Sequence, residues 1–223
     1  MTPSVLAFVG IGFLVGFRHA FEPDHLAAVS TLATHHRGWR SAAGLGVAWG
    51  VGHTAAVGVV ALVIGLLGVH VPERFYHGAE LGVAALLVLL GVRTLWTEAR
   101  RHAAQFGAQH AAWHAHHHPH AHAVSLRTVR SALGFGVAHG LAGSGAVMVL
   151  IVAAASTGAA QLAYLGAFGA GTVLGMSVVS FLTGAVSAVA QARSGRMATG
   201  IRIAAAGVSA ATGVWLGWGV LMG

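Results

Sequence analysis

Arg18-His19-Ala20-Phe21-Glu22-Pro23-Asp24-His25-Leu26 sets three charged side chains and two imidazoles in the middle of an apolar run. Residues from Ser4 to Phe17 are mostly apolar, and a largely apolar run continues downstream to Ala33. As one straight helix, residues 4–33 would measure about 45 Å, against a hydrocarbon layer of about 30 Å. The segment must therefore tilt or break. Pro23 supplies a break, because it has no N–H for the His19 carbonyl and its ring clashes there. His19 and His25 lie about 240° apart around a regular helix, so only a kinked or unwound segment lets them converge with Asp24. A charge at the centre of a membrane helix costs ~2.5–3.5 kcal/mol on insertion scales, so Arg18, Glu22 and Asp24 must be paired or bind something.

Composition places the whole chain in lipid. Of its 223 residues 56% are apolar and 8% charged, and the mean hydropathy is +0.76. A soluble domain carries roughly 25% charged residues to keep its surface solvated. The 33 glycines suit helices that pack closely in a bilayer. Hydropathy predicts six spans, at 4–33, 41–69, 78–99, 128–155, 160–190 and 197–222. The expected fold class is an all-α integral membrane protein of six transmembrane helices. The net charge of +7 does not indicate nucleic acid, because most arginines sit at segment ends rather than on one basic face. With no Lys there is no Walker-type phosphate loop and no Schiff-base chemistry. With no Cys there are no disulfides, zinc–thiolate sites or cysteine nucleophiles. No basic residue precedes Arg18, which argues against a cleaved signal peptide.

With six crossings, the connections at 34–40, 100–127 and 191–196 share one face. It holds Arg37, Arg40, Arg100, Arg101, Arg127, Arg193 and Arg196; the other face holds only Arg74. The positive-inside rule then puts both termini outside and the long connection in the cytoplasm, in a bacterial inner membrane. The halves also resemble each other. Gly16-Phe17-Arg18-His19-Ala20 aligns with Gly136-Val137-Ala138-His139-Gly140, with Asp24 opposite Ser144; Trp49-Gly50-Val51-Gly52-His53 aligns with Phe168-Gly169-Ala170-Gly171-Thr172; Gly91-Val92 and Trp96 align with Gly213-Val214 and Trp218. A three-helix repeat must invert in the membrane, and inverted repeats hold substrate near the midplane between the halves. The expected organisation is a first repeat over 1–99, a His-rich cytoplasmic connection over 100–127 and a second repeat over 128–223.

His19, Asp24 and His25 are the leading metal ligands: two imidazoles and a carboxylate suit borderline ions such as nickel, cobalt and zinc better than magnesium or calcium. A purely structural account, with Arg18 and Glu22 neutralising each other and the histidines as core, leaves Asp24 and the histidine pair unexplained. His53, after Gly50 and Gly52, and His139, in the Gly-rich run to Gly145, are further ligand candidates. Arg18, Glu22, Ser144 and Thr172 are candidate supporting residues. Met176 and Ser180, with Thr172, fit packing or backbone bonding as well. Between Arg100 and Arg127, His102 and His110 precede a denser tract of His114, His116, His117, His118, His120 and His122. Such tracts capture metal, since imidazoles of pKa ~6.5 are mostly neutral near pH 7.

The H-x4-D-H form of His19 to His25, with Arg18, Ala20 and Leu26, resembles the signature of the nickel/cobalt transporter family. Gly50-Val51-Gly52-His53-Thr54 is similar to that family's Gly-His-Ser/Thr element. His139-Gly140-Leu141-Ala142-Gly143-Ser144-Gly145 is similar to a shorter branch of urease-accessory or nickel-transport-like membrane proteins. The resemblance covers most of the chain outside the His-rich connection. It implies metal recognition by His19, Asp24 and His25. Glu22 and Pro23 stand where many members have Asp and Ala, and six spans replace the commoner eight.

The function expected from these readings is transmembrane transport of Ni2+ or Co2+ as substrate, in the direction of uptake, without a prosthetic group. Its partners are the ion, the bilayer and a cytoplasmic metallochaperone. Three alternatives remain at this level: efflux, a non-transporting metal-delivery protein for a metalloenzyme, and a membrane acyltransferase using His19 and Asp24. The last has no soluble catalytic region, no basic pocket for a phosphate-bearing acceptor and no role for His25, so the chain is not expected to be an enzyme.

Overall fold

A computed structural model describes residues 3–34, 38–67, 72–111, 128–143 and 158–223. These hold seven helices and no strand: α1 Pro3–His19, α2 Pro23–Ala33, α3 Trp39–Leu67, α4 Glu73–Ala111, α5 Val129–Gly143, α6 Gly158–Arg193 and α7 Gly195–Met222. Among them α3, α4, α6 and α7 contain stretches long and apolar enough to cross a membrane, and α1 is a shorter apolar helix. The surface is apolar where a soluble protein's would be polar. Leu14, Leu89, Val186, Trp215 and Leu221 are exposed, while His25, His53, His139, Thr172 and Ser180 are buried. Such an all-helical, inside-polar arrangement is that of a protein whose solvent is lipid.

The first expected span, 4–33, is two helices broken at 20–22. The spans at 41–69, 160–190 and 197–222 lie within three residues of α3, α6 and α7 at both ends. Of the span at 128–155, α5 covers the part to Gly143, and the remainder, with Ser144, lies outside the described residues. The span at 78–99 is longer in the fold, because α4 begins at Glu73 and continues through Arg100, Arg101 and His102 to Ala111. Hydropathy marks where lipid ends; Ala103, Ala104, Gln105, Ala108 and Gln109 are good helix formers that carry the helix beyond that edge. The connection expected at 191–196 contracts to Ser194, whose extended backbone (φ −166°, ψ 132°) lets its hydroxyl accept from the Arg196 N–H at 3.2 Å.

α1 lies along α6, α5 along α3, α3 along α6, and α4 along α7. Individual close approaches recur at one offset. A side chain on Gly16 would strike the Phe168 carbonyl, and one on Gly136 would strike the Trp49 carbonyl. Gly171 is pressed against the Phe13 carbonyl, and Gly52 against that of Leu133. Gly91 would meet the Ala206 carbonyl at 2.5 Å and Gly213 that of Ala84 at 2.6 Å. Small residues let these backbones touch, which is how helices associate where lipid competes equally for apolar side chains.

Thr31 ties α2 to α7, its hydroxyl reaching the Ala205 carbonyl at 3.1 Å as well as that of Ala27 at 2.8 Å. At one end of the α4–α7 pair, buried Glu98 accepts from Arg101 Nη1 at 3.0 Å and from Arg202 Nη2 at 3.2 Å. Removing one partner of a buried ion pair strands the other charge, at about 3 kcal/mol. Glu98→Ala is therefore expected to lower the unfolding midpoint in detergent by several degrees, and Glu98→Gln by less. An unchanged midpoint for Glu98→Ala would show that this pair does not hold α4 to α7.

Candidate metal centre

The break in the first span begins at the carbonyl that Pro23 cannot bond. α1 stops at His19, whose carbonyl instead accepts from the Glu22 N–H at 3.0 Å, while that of Arg18 accepts from Phe21 at 2.9 Å. Glu22 is extended (φ −62°, ψ 147°), and Pro23 opens α2, where its missing N–H costs nothing. Asp24 then falls in the first turn of α2, at the end of the helix dipole that favours an anion. The turn returns His25 toward His19, and their rings meet edge to face with centroids 4.4 Å apart.

Two further helices bring their histidines to the same place. Gly136 and Gly140 let α5 lie on the backbone of α3, a side chain on Gly140 being only 2.5 Å from the His53 carbonyl. Gly50 faces the Val173 backbone, which draws α3 onto α6. As a result His19 Nε2 and His53 Nε2 stand 3.2 Å apart, one donating to the other. His25 Nδ1 is 3.0 Å from Asp24 Oδ1, and His139 Nε2 is 2.9 Å from Asp24 Oδ2. The rings of His25 and His139 are 4.3 Å apart, and those of His25 and His53 5.0 Å. Asp24 and four buried histidines thus form one continuous polar group.

Two ligand sets exist within it. One atom from each of His19, His25 and His53 lies within 4.8 Å of the other two, and the same holds for Asp24, His25 and His139. Carboxylates stand beside Nδ1 of two rings: Asp24 Oδ1 is hydrogen-bonded to His25, and Glu22 Oε2 is 3.0 Å from His19 without the alignment of a hydrogen bond. A carboxylate on one ring nitrogen orients the other and makes it a better metal donor. His25 Nε2, His53 Nδ1 and His139 Nδ1 are buried with no hydrogen-bond partner among the described residues. An unmatched buried polar atom costs about 1–3 kcal/mol, and a cation would relieve such a nitrogen.

The remaining candidates take other places. Glu22 turns to His19 rather than to Arg18, because the helix ends between them and the i,i+4 face no longer exists; Arg18 is exposed. Thr172 directs its hydroxyl to the carbonyls of Phe168 at 2.9 Å and Gly16 at 3.2 Å, so it fixes α1 on α6 instead of joining the ligand sets. Ser144 and the tract from His114 to His122 lie outside the described residues. Two aromatic residues did not emerge as site residues from the sequence. Phe168 sits over the His19 ring at 5.5 Å, and Trp49 over that of His139 at 5.7 Å. The signal was present, since Trp49 and Phe168 align with each other just as His19 and His139 do.

No protein-family model and no solved structure matches the chain. The urease accessory protein UreH of Bacillus sp. (strain TB-90) is 34% identical to it over 181 residues, which cover 81% of this chain and 76% of that protein. At that identity and coverage, the chain belongs to the family of urease accessory protein UreH.

Proposed function

We propose that the chain carries a divalent transition-metal cation, Ni2+ or Co2+, across the membrane as a secondary transporter or facilitator of the nickel/cobalt transporter type. The observation that carries this reading is the convergence of His19, His25, His53, His139 and Asp24 from four helices inside an apolar bundle. Nitrogen donors with one carboxylate fit these borderline ions and disfavour magnesium and calcium. Intramembrane ionisable groups are by default candidates for ion pathways and related function. The relative's name links it to urease, a nickel enzyme, which fits a supply of nickel to that enzyme.

Uptake is the favoured direction on energetic grounds. A membrane potential of 100 mV contributes ~2.3 kcal/mol per charge, hence ~4.6 for a divalent ion, enough for a gradient of roughly 2,000-fold. Export would need a coupled ion. The recurring contacts at offsets of about 120 residues support reading the halves as inverted repeats, with the ion held between them near the midplane. With the long connection in the cytoplasm, His114, His116, His117, His118, His120 and His122 would capture arriving ions and pass them to a metallochaperone.

The test is flux of Ni2+, Co2+, Zn2+ and Mn2+ into sealed proteoliposomes, with and without a pH gradient. Wild-type protein should admit Ni2+ or Co2+ in preference to Mn2+, and Asp24→Ala should reduce that flux by at least ~100-fold, about the share of one ligand in a metal site's free energy. Binding without flux would favour the alternative of a metal-delivery protein. Equal flux by wild type and Asp24→Ala would remove the cluster from the mechanism.

A further inference from the structure

We infer that the cluster contains two overlapping ion positions that share His25 and are filled in turn by a single ion. This rests on the metal-transport reading and concerns how that same site works. The two ligand sets differ in access. His19, His25 and His53 are 5%, 1% and 0% exposed, whereas Asp24, which anchors the other set, is 23% exposed and follows Glu22, exposed at 53%. The carboxylate set is therefore the more accessible one and the three-histidine set is sealed.

The sets also differ in preorganisation. His19 Nε2 and His53 Nε2 are 3.2 Å apart, close to the ~3.3 Å between neighbouring corners of a tetrahedron with metal–nitrogen bonds of 2.0–2.1 Å. With His25 held at Nδ1 by Asp24, its buried Nε2 is the unpartnered donor left to complete that position. At the other position, Asp24 is already hydrogen-bonded to His25 and His139, so an ion binding there must displace a shared proton. The sealed position already has the spacing of a metal site, but an ion must displace a proton at either one: that shared by His19 and His53, or those on Asp24.

His25 contributes to both, which forces alternation. Two divalent ions on either side of one imidazole would repel with four times the energy of a unit pair at the same distance, and among the described residues Asp24 and Glu22 are the only carboxylates beside these histidines. One ion instead exchanges its ligands in passing His25: its bonds to Asp24, His139 and the His25 nitrogen beside them break as those to His25 Nε2, His19 and His53 form. His139 belongs to the second half of the chain and the other four ligands to the first, so the transfer releases the ion's one bond to the second half. Protons displaced by an arriving ion leave to solvent past the part-exposed Asp24 carboxylate, and solvent protons return to the vacated contacts once the ion has moved on.

The test is Co2+ binding to the purified full-length chain in detergent, measured by equilibrium dialysis and by the visible absorption that reports cobalt coordination. In a background in which His114, His116, His117, His118, His120 and His122 are alanine, so that the connection does not hold ions, the chain should bind one Co2+. His53→Ala and His139→Ala should each still bind one with little loss of affinity, because the other set keeps all its ligands, and with absorption spectra that differ from each other. His25→Gln and the His53→Ala/His139→Ala double variant, which take one ligand from each set, should both bind ~100-fold more weakly. Size-exclusion profiles and unfolding midpoints identify variants that remain folded; where His25→Gln fails, His25→Asn stands in for it. If His53→Ala and His139→Ala are each as damaging as His25→Gln, the cluster is one pooled site and the inference falls. Two Co2+ ions per chain in the background without those six histidines would overturn it equally. No Co2+ bound in that background overturns the transport reading itself, an outcome distinct from either of these.

Discussion

Cells producing the His25→Ala chain should accumulate no more Ni2+ or Co2+ than cells lacking the protein, a loss of at least ~100-fold in saturable uptake by the scale of one metal ligand. His25 is singled out because it alone belongs to both ligand sets. It is also the most enclosed by other rings, with His19, His53 and His139 all within 5.0 Å of it, centroid to centroid. Removing it opens a gap between these rings and leaves Asp24 with His139 as its one remaining partner among the described residues. No other described side chain is placed to replace it. Thr172→Val provides the contrast, because the Thr172 hydroxyl meets only backbone carbonyls and its loss should cost a few-fold at most. Uptake is to be compared at matched membrane abundance. Accumulation by His25→Ala within about twofold of wild type, against the loss set by one metal ligand, would mean that the ion does not pass through this cluster.

What the sequence disclosed, and what it withheld, follows the range over which each force acts. Pro23 acts on the carbonyl four residues before it, so the break at His19 and the return of His25 could be read locally. The apolar runs set α3, α6 and α7 to within three residues, because the cost of exposing them is additive along the chain. The end of α4 could not be read from hydropathy, since beyond the lipid edge helix propensity alone decides, and Ala and Gln continued it to Ala111. The pairing of His139 with Asp24 spans 115 residues, and that of Arg202 with Glu98 spans 104. No periodicity encodes such contacts; they exist because α5 lies on α3 and α7 on α4. His139 could still be named as a candidate, through its alignment with His19. Trp49 and Phe168 were equally visible in that alignment, but an aromatic side chain in an apolar helix carries no chemical mark of its neighbour. The pairing of Glu22 with Arg18, which the purely structural account would require, does not form for a local reason: the i,i+4 rule presumes a helix, and here the helix has already ended.

Gly16→Val and Gly136→Val are expected to damage the protein to nearly the same degree, although the residues lie in different halves. Each glycine faces a backbone carbonyl, that of Phe168 for Gly16 and that of Trp49 for Gly136, and a backbone cannot rotate aside as a side chain can. Overpacking a close contact commonly costs 1–3 kcal/mol and occasionally more, so the upper end of that range applies to both. For a chain of this size about 3 kcal/mol corresponds to a fall of roughly 6–12 °C in the unfolding midpoint. Gly44→Ala is the control: nothing lies within 4 Å of the added methyl group, so its midpoint should hold or rise slightly. Metal uptake should fail in both valine variants for a common reason, since Gly16 seats the helix that ends in His19, and Gly136 seats the one that carries His139. If Gly136→Val retains wild-type stability and uptake while Gly16→Val loses them, the two helix seats are not equivalent, and the reading of the halves as inverted repeats around the ion fails with them.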